Sequence, residues 1–231
     1  MNESKKNIRI LIMSFIAFSS CFAIWTIFSI IGISIKKELG LSDTQFGVLI
    51  ATPILTGSLT RLMFGIWADQ YGGRIIFFII MIVSSICTYL LSVVSTYNMY
   101  LLVALGVGVA GGSFPVGITY VSSFFPIRQQ GTVLGIYGMC NVGAAITNFV
   151  APFLLVSYGW ISVTKIYAVS LIIVAVFFIL FTEDDPNIKN RKKHNLKPQK
   201  FIDQIEPLKY MQIWRFSFYY LFVFGAFLAL A

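Results

Sequence analysis

Six long, predominantly apolar stretches constrain this chain more than any other feature of its sequence. They cover residues 10–35, 46–68, 75–94, 99–125, 131–156 and 161–181. A helix needs about 20 such residues to cross the hydrocarbon core of a bilayer. Lipid offers no water to backbone N–H and C=O groups, so a crossing of this kind must be helical. A polar stretch, 36–45, separates the first two runs, and a hydrophilic segment, 182–212, follows the sixth. A further apolar run then occupies 213–231. The expected fold class is an all-α membrane protein with six transmembrane helices over 1–181, a linker over 182–212 and the start of a seventh helix over 213–231, where the sequence stops as if truncated. The first run is far longer than the apolar part of a signal peptide, about 7–15 residues, and is expected to remain as a helix.

Composition agrees with that reading and removes other classes. Apolar residues make up 58% of the 231 positions and charged residues 11%, against about 45–50% and about 25% in soluble domains. A soluble enzyme, a nucleic-acid-binding module and a disordered tail are all excluded. The net charge of +8 is a topology signal. With alternating crossings, thirteen of the seventeen Lys and Arg residues fall on the side of the N-terminus and only Lys36, Lys37 and Lys165 on the other. Cytoplasmic loops carry the excess of Lys and Arg, so the N-terminus is expected on the cytoplasmic side of the cell (inner) membrane. The basic cluster Arg191, Lys192 and Lys193 reads chiefly as part of that signal. Cys21, Cys87 and Cys140 lie inside apolar runs as small packing residues, with no metal-ligand spacing. The single histidine, His194, sits in the basic linker. No nucleophile–base pair and no H-E-x-x-H is present, so neither enzymatic activity nor a metal or other cofactor is expected. The bilayer itself is an expected partner.

One charge lies inside the runs: Arg61. All nine acidic residues fall in tails and loops, so Arg61 has no acidic partner at its depth. An arginine at the centre of a membrane helix costs about 2.5–3.5 kcal/mol even on the lenient insertion scale. Arg61 precedes Asp69 by eight positions, or about 12 Å of helix, too far for complete snorkelling. Gly57, Arg61 and Gly65, spaced by four, share one face and are expected to leave room for a ligand beside the charge. The planar guanidinium suits a planar oxyanion. Anion binding is the favoured reading, ahead of a structural pair with a polar group.

The fourth and fifth runs are rich in glycine. Gly106, Gly108 and Gly111 spell G-x-G-x-x-G, but the strand, soluble helix and acidic residue that a dinucleotide site requires are missing. Gly108 and Gly112 form G-x-x-x-G, which lets membrane helices approach closely. Gly131, Gly135, Gly138 and Gly143 are expected to do the same in the fifth run. Asn141, Thr147 and Asn148 need partners in a dry setting. Asn141 and Asn148, seven apart, share a face, and cavity lining and interhelical hydrogen bonding are equally open for each.

Residues 65–74 read GIWADQYGGR, which resembles the G-x-x-x-D-x-x-G-R loop motif of the major facilitator superfamily, through Gly65, Asp69, Gly72 and Arg74, with one inserted glycine. That superfamily pairs two six-helix halves around a midplane site. A closer resemblance is to its nitrate/nitrite porter family. Residues 51–61 (ATPILTGSLTR) resemble the family's anion-binding arginine segment. Residues 111–114 (GGSF) with 124–126 (FFP) resemble its fourth helix, and 138–143 (GMCNVG) running to Ala151 and Pro152 its nitrate signature. Residues 214–220 (WRFSFYY), ending in Phe224 and Gly225, resemble the start of its seventh helix.

The resemblance implies that Arg61 binds the oxygens of nitrate or nitrite, Asn141 donates hydrogen bonds, Phe114 and Phe224 wall the site, and Tyr220 contributes a hydroxyl. Two departures stand out. Cys140 occupies the position where the family has glycine before the signature asparagine, and the family's second arginine, from an eighth helix, lies beyond the end of this sequence. The implied function is transport of nitrate or nitrite by alternating access, completed by a C-terminal half. No carboxylate lies within the runs to carry protons, which favours exchange. The alternatives are a truncated, transport-inactive fragment, an assembly partner of another half-transporter, or a transporter of a different small anion.

Overall fold

The computed structural model describes residues 3–194, 201, 204 and 206–230. Helix α1 (Glu3–Trp25) and helix α2 (Phe28–Leu39) form the first apolar stretch, interrupted at Thr26–Ile27. The Thr26 hydroxyl donates to the Phe22 carbonyl at that break. Helix α3 (Asp43–Tyr71) follows, starting earlier than its apolar run because Ser42 and Gln45 form a reciprocal capping box that satisfies otherwise unpaired N–H groups. Next come α4 (Gly73–Leu90), α5 (Tyr97–Gly108), a 3-10 turn (Val109–Gly112) and α6 (Ser113–Ser122). Then α7 (Ile127–Gly138), a second 3-10 turn (Met139–Asn141) and α8 (Val142–Phe181) complete the apolar part. A short helix, α9 (Pro186–Lys193), and α10 (Met211–Leu230) end the chain.

Among the described residues, five helical stretches are long and apolar enough to cross a membrane, and the fifth, Ile127–Phe181, contains 55 residues. At about 1.5 Å per residue that is far more than a bilayer holds. Gly159, at φ 75° and ψ 161°, breaks it in a backbone region that glycine enters without penalty. The two parts pack on different neighbours. Before the break, the Thr147 hydroxyl donates to the Ala23 carbonyl of α1. After it, Ser85 of α4 donates to the Ala168 carbonyl and Phe178 meets Phe77 at 5.1 Å between ring centroids. Residues 127–158 and 160–181 are therefore separate segments, as the apolar pattern anticipates.

Hydrogen bonds gather the segment ends into two groups. At one end Trp160 donates to Glu38, Tyr97 donates to the Gln45 carbonyl and Lys36 pairs with Asp43. At the other, Asn7 donates to the Phe124 carbonyl, Lys6 pairs with Glu183 at 2.9 Å and Tyr120 donates to the Glu183 carbonyl. Successive segments thus alternate in direction.

Apolar burial drives little association within lipid, so close backbone approach must do more. A Cβ on Gly108 would lie 2.6 Å from the Pro53 carbonyl oxygen and 2.7 Å from the Thr56 Cβ, which shows how tightly α5 is pressed on α3. A Cβ on Gly143 would overlap the Ser19 carbonyl oxygen of α1. The expectation for the rest of that stripe is corrected. Gly131, Gly135 and Gly138 have open space where a Cβ would be, because α7 turns that face away from the neighbours described here. Cys87 packs against Gly106, in keeping with a packing role. Large apolar side chains such as Leu102 and Val156 stay 71% and 88% exposed, on surfaces suited to lipid.

Two outcomes follow for the purified protein. Gly143→Ala is expected to destabilise by about 1–3 kcal/mol through overpacking, whereas Gly135→Ala stays within about 0.5 kcal/mol, as read by thermal unfolding in detergent. Glu183 is held below the usual carboxylate range, first by its hydrogen bond to Lys6, against a smaller opposing effect of burial. A lowered carboxylate value contributes stability above the ordinary glutamate range and loses it as pH falls through the lowered value. Glu183→Gln should therefore flatten the pH dependence of stability below the ordinary value of about 4.3. The cost at neutral pH should stay under about 1 kcal/mol, because the group is more than a third exposed and screened. An unchanged acid slope would contradict this.

Candidate anion site

Helix α3 carries Arg61 two turns beyond Pro53 and one beyond Gly57. The Arg61 Nε donates to the Gly111 carbonyl at 3.2 Å. That carbonyl belongs to the 3-10 turn between α5 and α6, where the tighter winding presents it toward α3. The guanidinium carbon lies 4.8 Å from the ring centroid of Phe224, 5.6 Å from Trp25 and 5.9 Å from Phe114. Four separate parts of the chain thus meet at this one cation: α1, α3, the α5–α6 region and α10. The side chain does not merely reach for the membrane surface; it is tethered at its own depth. Aromatic faces attract a guanidinium by about 0.5–1 kcal/mol when exposed and about 2 or more when desolvated, which offsets part of the cost of its depth.

Of the residues expected at the site, Arg61, Phe114 and Phe224 come together. Tyr220 joins them indirectly, stacked on Phe224 at 5.2 Å with the rings 9° apart. Asn141 is placed differently: it is half-buried at the end of the Met139–Asn141 turn, beside the buried Cys140, and is not among the contacts described for Arg61. Phe114 extends the aromatic wall inward, 5.4 Å from Phe18 and 6.2 Å from Tyr137.

The room expected beside Gly57 is corrected. A Cβ there would lie 2.7 Å from the Trp25 Nε1 and 3.0 Å from the Gly108 carbonyl oxygen, so the space belongs to the indole and to α5. Trp25 is the residue that sequence reasoning missed. In an apolar run a tryptophan reads as packing. The available signal was its N–H, which needs an acceptor when buried and finds the Pro53 carbonyl at 2.9 Å.

The loop motif forms a second cluster. Gly72 adopts φ 107°, a conformation that favours glycine, and separates α3 from α4. The inserted Gly73 lies against Tyr120, where a Cβ would come within 2.5 Å of the tyrosine Cβ. Arg74 pairs with Asp184 at 2.9 Å and donates to the Ile179 carbonyl at 2.5 Å. Arg191 of α9 donates to the Asp69 carbonyl, and buried Ile188 sits over Gly72. The basic linker segment therefore docks on this loop as well as carrying charge. Asp185 caps α9 through the Asn187 N–H, and burial pushes its carboxyl above the usual range. A Cβ on Gly65 would stand 3.7 Å from that of Pro115, an ordinary contact distance.

Comparison with known proteins places this geometry in a family. The model of the Major Facilitator Superfamily matches residues 13–231. The chain is 40% identical to a probable nitrate/nitrite antiporter, NarK1, of Thermus thermophilus, over 99% of this chain and 53% of that protein. It is 30% identical to a probable nitrate transporter, NarT, of Staphylococcus carnosus, over 82% and 49%, and 28% identical to a nitrite extrusion protein of Bacillus subtilis, over 90% and 51%. The chain spans about half the length of these curated relatives. Among solved structures, a bacterial homologue of the human lysosomal transporter Spinster, inward-facing and unoccupied, matches with a TM-score of 0.69 at 22% identity, covering 78% of this chain and 44% of that one. The proton:xylose symporter XylE matches with a TM-score of 0.68 at 12% identity, covering 80% and 46%. The chain is a multi-pass membrane protein and belongs to the major facilitator superfamily.

Proposed function

We propose that this chain supplies the first six-helix half, over 1–181, the cytoplasmic linker, over 182–212, and the beginning of the seventh helix, over 213–231, of a two-half transporter for nitrate or nitrite. The observation that carries the reading is Arg61, an arginine at membrane depth with one nitrogen committed to a backbone carbonyl and its face against three aromatic rings. Ring faces attract the cation but leave its charge uncompensated, and an anion supplies the missing charge. With Nε held by Gly111, the two terminal nitrogens form the edge that receives a planar oxyanion through paired hydrogen bonds. Phe114 and Phe224 wall that edge, Tyr220 offers a hydroxyl, and Asn141 adds hydrogen bonds when the halves close. The relatives named for nitrate and nitrite transport support this choice of substrate.

The remaining parts fit alternating access, in which two halves rock about a midplane site. Gly65, Asp69, Gly72 and Arg74 with the docked α9 steady the loop between α3 and α4 as the halves move. The basic residues at the end that holds the N-terminus orient that end to the cytoplasm. The carboxylates lie outside the apolar runs, which favours exchange of one anion for another over proton symport. Arg61→Lys keeps the charge but loses the planar fork, and nitrate uptake by vesicles containing the two-half protein is expected to fall by about tenfold or more, the scale of about 1.4 kcal/mol of lost binding. Uptake at the wild-type rate would sink the assignment.

A further inference from the structure

We propose that Trp25 is a positioning residue for the Arg61 anion site: its indole, fixed to the α3 backbone, sets where the guanidinium stands. This inference rests on the reading of Arg61 as the anion anchor.

The indole occupies a slot that only glycines leave open. A Cβ on Gly57 would lie 2.7 Å from its Nε1, and a Cβ on Gly111 2.9 Å from its Cε2. Trp25 is 3% exposed, and its N–H donates to the Pro53 carbonyl two turns before Arg61 on the same helix. Helix α1 ends at Trp25, so the residue stands at a break where the backbone can aim it between α3 and the 3-10 turn. From that slot the ring meets three parts of the tether: the guanidinium, Gly111 and Phe224. It lies 5.6 Å from the Arg61 guanidinium carbon. It packs on Gly111, whose carbonyl holds the Arg61 Nε. It is nearly parallel to Phe224, 6.3 Å away at 10°, the other ring that Arg61 faces most closely. Phe22 braces it from behind at 5.3 Å. An arginine side chain has several rotatable bonds, and an anion site works only if the fork is held in one orientation before the anion arrives. The N–H of Trp25 is spent on Pro53, so its contribution passes through Arg61 rather than through direct contact with the anion.

The test measures nitrate affinity and uptake of the purified two-half protein in lipid vesicles for Trp25→Phe, Trp25→Leu and Arg61→Lys. Trp25→Leu removes the ring face and is expected to weaken nitrate binding by about tenfold, with the maximal uptake rate changed far less. Trp25→Phe keeps a ring but loses the N–H anchor, and its affinity is expected to fall by only about threefold. A graded loss in that order, at unchanged thermal unfolding, supports the proposal. Wild-type affinity in folded Trp25→Leu, or an equal loss in both variants, overturns it. Should the leucine variant not fold, Trp25→Phe alone decides: a raised KM at unchanged maximal rate supports the proposal, and an unchanged KM overturns it. Arg61→Lys separates the two claims. If it abolishes binding while both Trp25 variants bind normally, the anion site stands and the positioning role falls. If Arg61→Lys binds nitrate normally, the anion site itself falls.

Discussion

A guanidinium held at membrane depth is the constraint around which the rest of this structure is arranged. The apolar runs offer no carboxylate to pair with it. The fold answers in two ways. A 3-10 turn brings the Gly111 carbonyl into reach of Nε, and Trp25, Phe114 and Phe224 present ring faces. Both devices hold the cation without neutralising it. The charge so held has no carboxylate against it among the described residues, and in the proposed function a small anion supplies the compensation.

That arrangement depends on backbone approach that only glycine permits. Gly108 and Gly111 face Pro53 and Gly57 across the contact between α3 and the α5–α6 region. Any side chain on those positions would push the Gly111 carbonyl away from Arg61 and close the slot that holds Trp25. The packing of the two crossings and the geometry of the cation are therefore one problem. The linker helix α9 lies on the Gly72 turn through Ile188 and Arg191, so the loop that joins α3 to α4 is braced by contacts separate from those that hold Arg61.

Much of this was legible in the residues. Apolar run length located the crossings, including the break near Gly159, because bilayer thickness is a hard limit. Arg61 was conspicuous as the one charge inside those runs, and the family resemblance of residues 111–114 and 214–225 pointed to Phe114 and Phe224. What sequence could not supply was the direction each face points. Gly143 and Gly135 look alike in spacing, yet only Gly143 meets a neighbour. Gly57 looked like room for a ligand and is instead the wall of a tryptophan slot. Trp25 passed for packing because an indole in an apolar run carries no charge to betray it. The glycine inserted between Gly72 and Arg74 appeared to be a departure from a motif, and Tyr120 explains it. Docking of the basic linker ranked below the topology reading of Arg191, Lys192 and Lys193, because those charges already accounted for orientation.

The central claim is that the anion meets the terminal nitrogens of Arg61. A structure of the two-half protein determined with nitrate bound tests it most directly. The expected result is a planar anion whose oxygens lie within about 2.7–2.9 Å of the Arg61 Nη atoms, flanked by Phe114 and Phe224, with Nε still on Gly111. Nitrate ordered elsewhere in the membrane interior, with the Arg61 guanidinium touching only its rings and its carbonyl, would contradict the account.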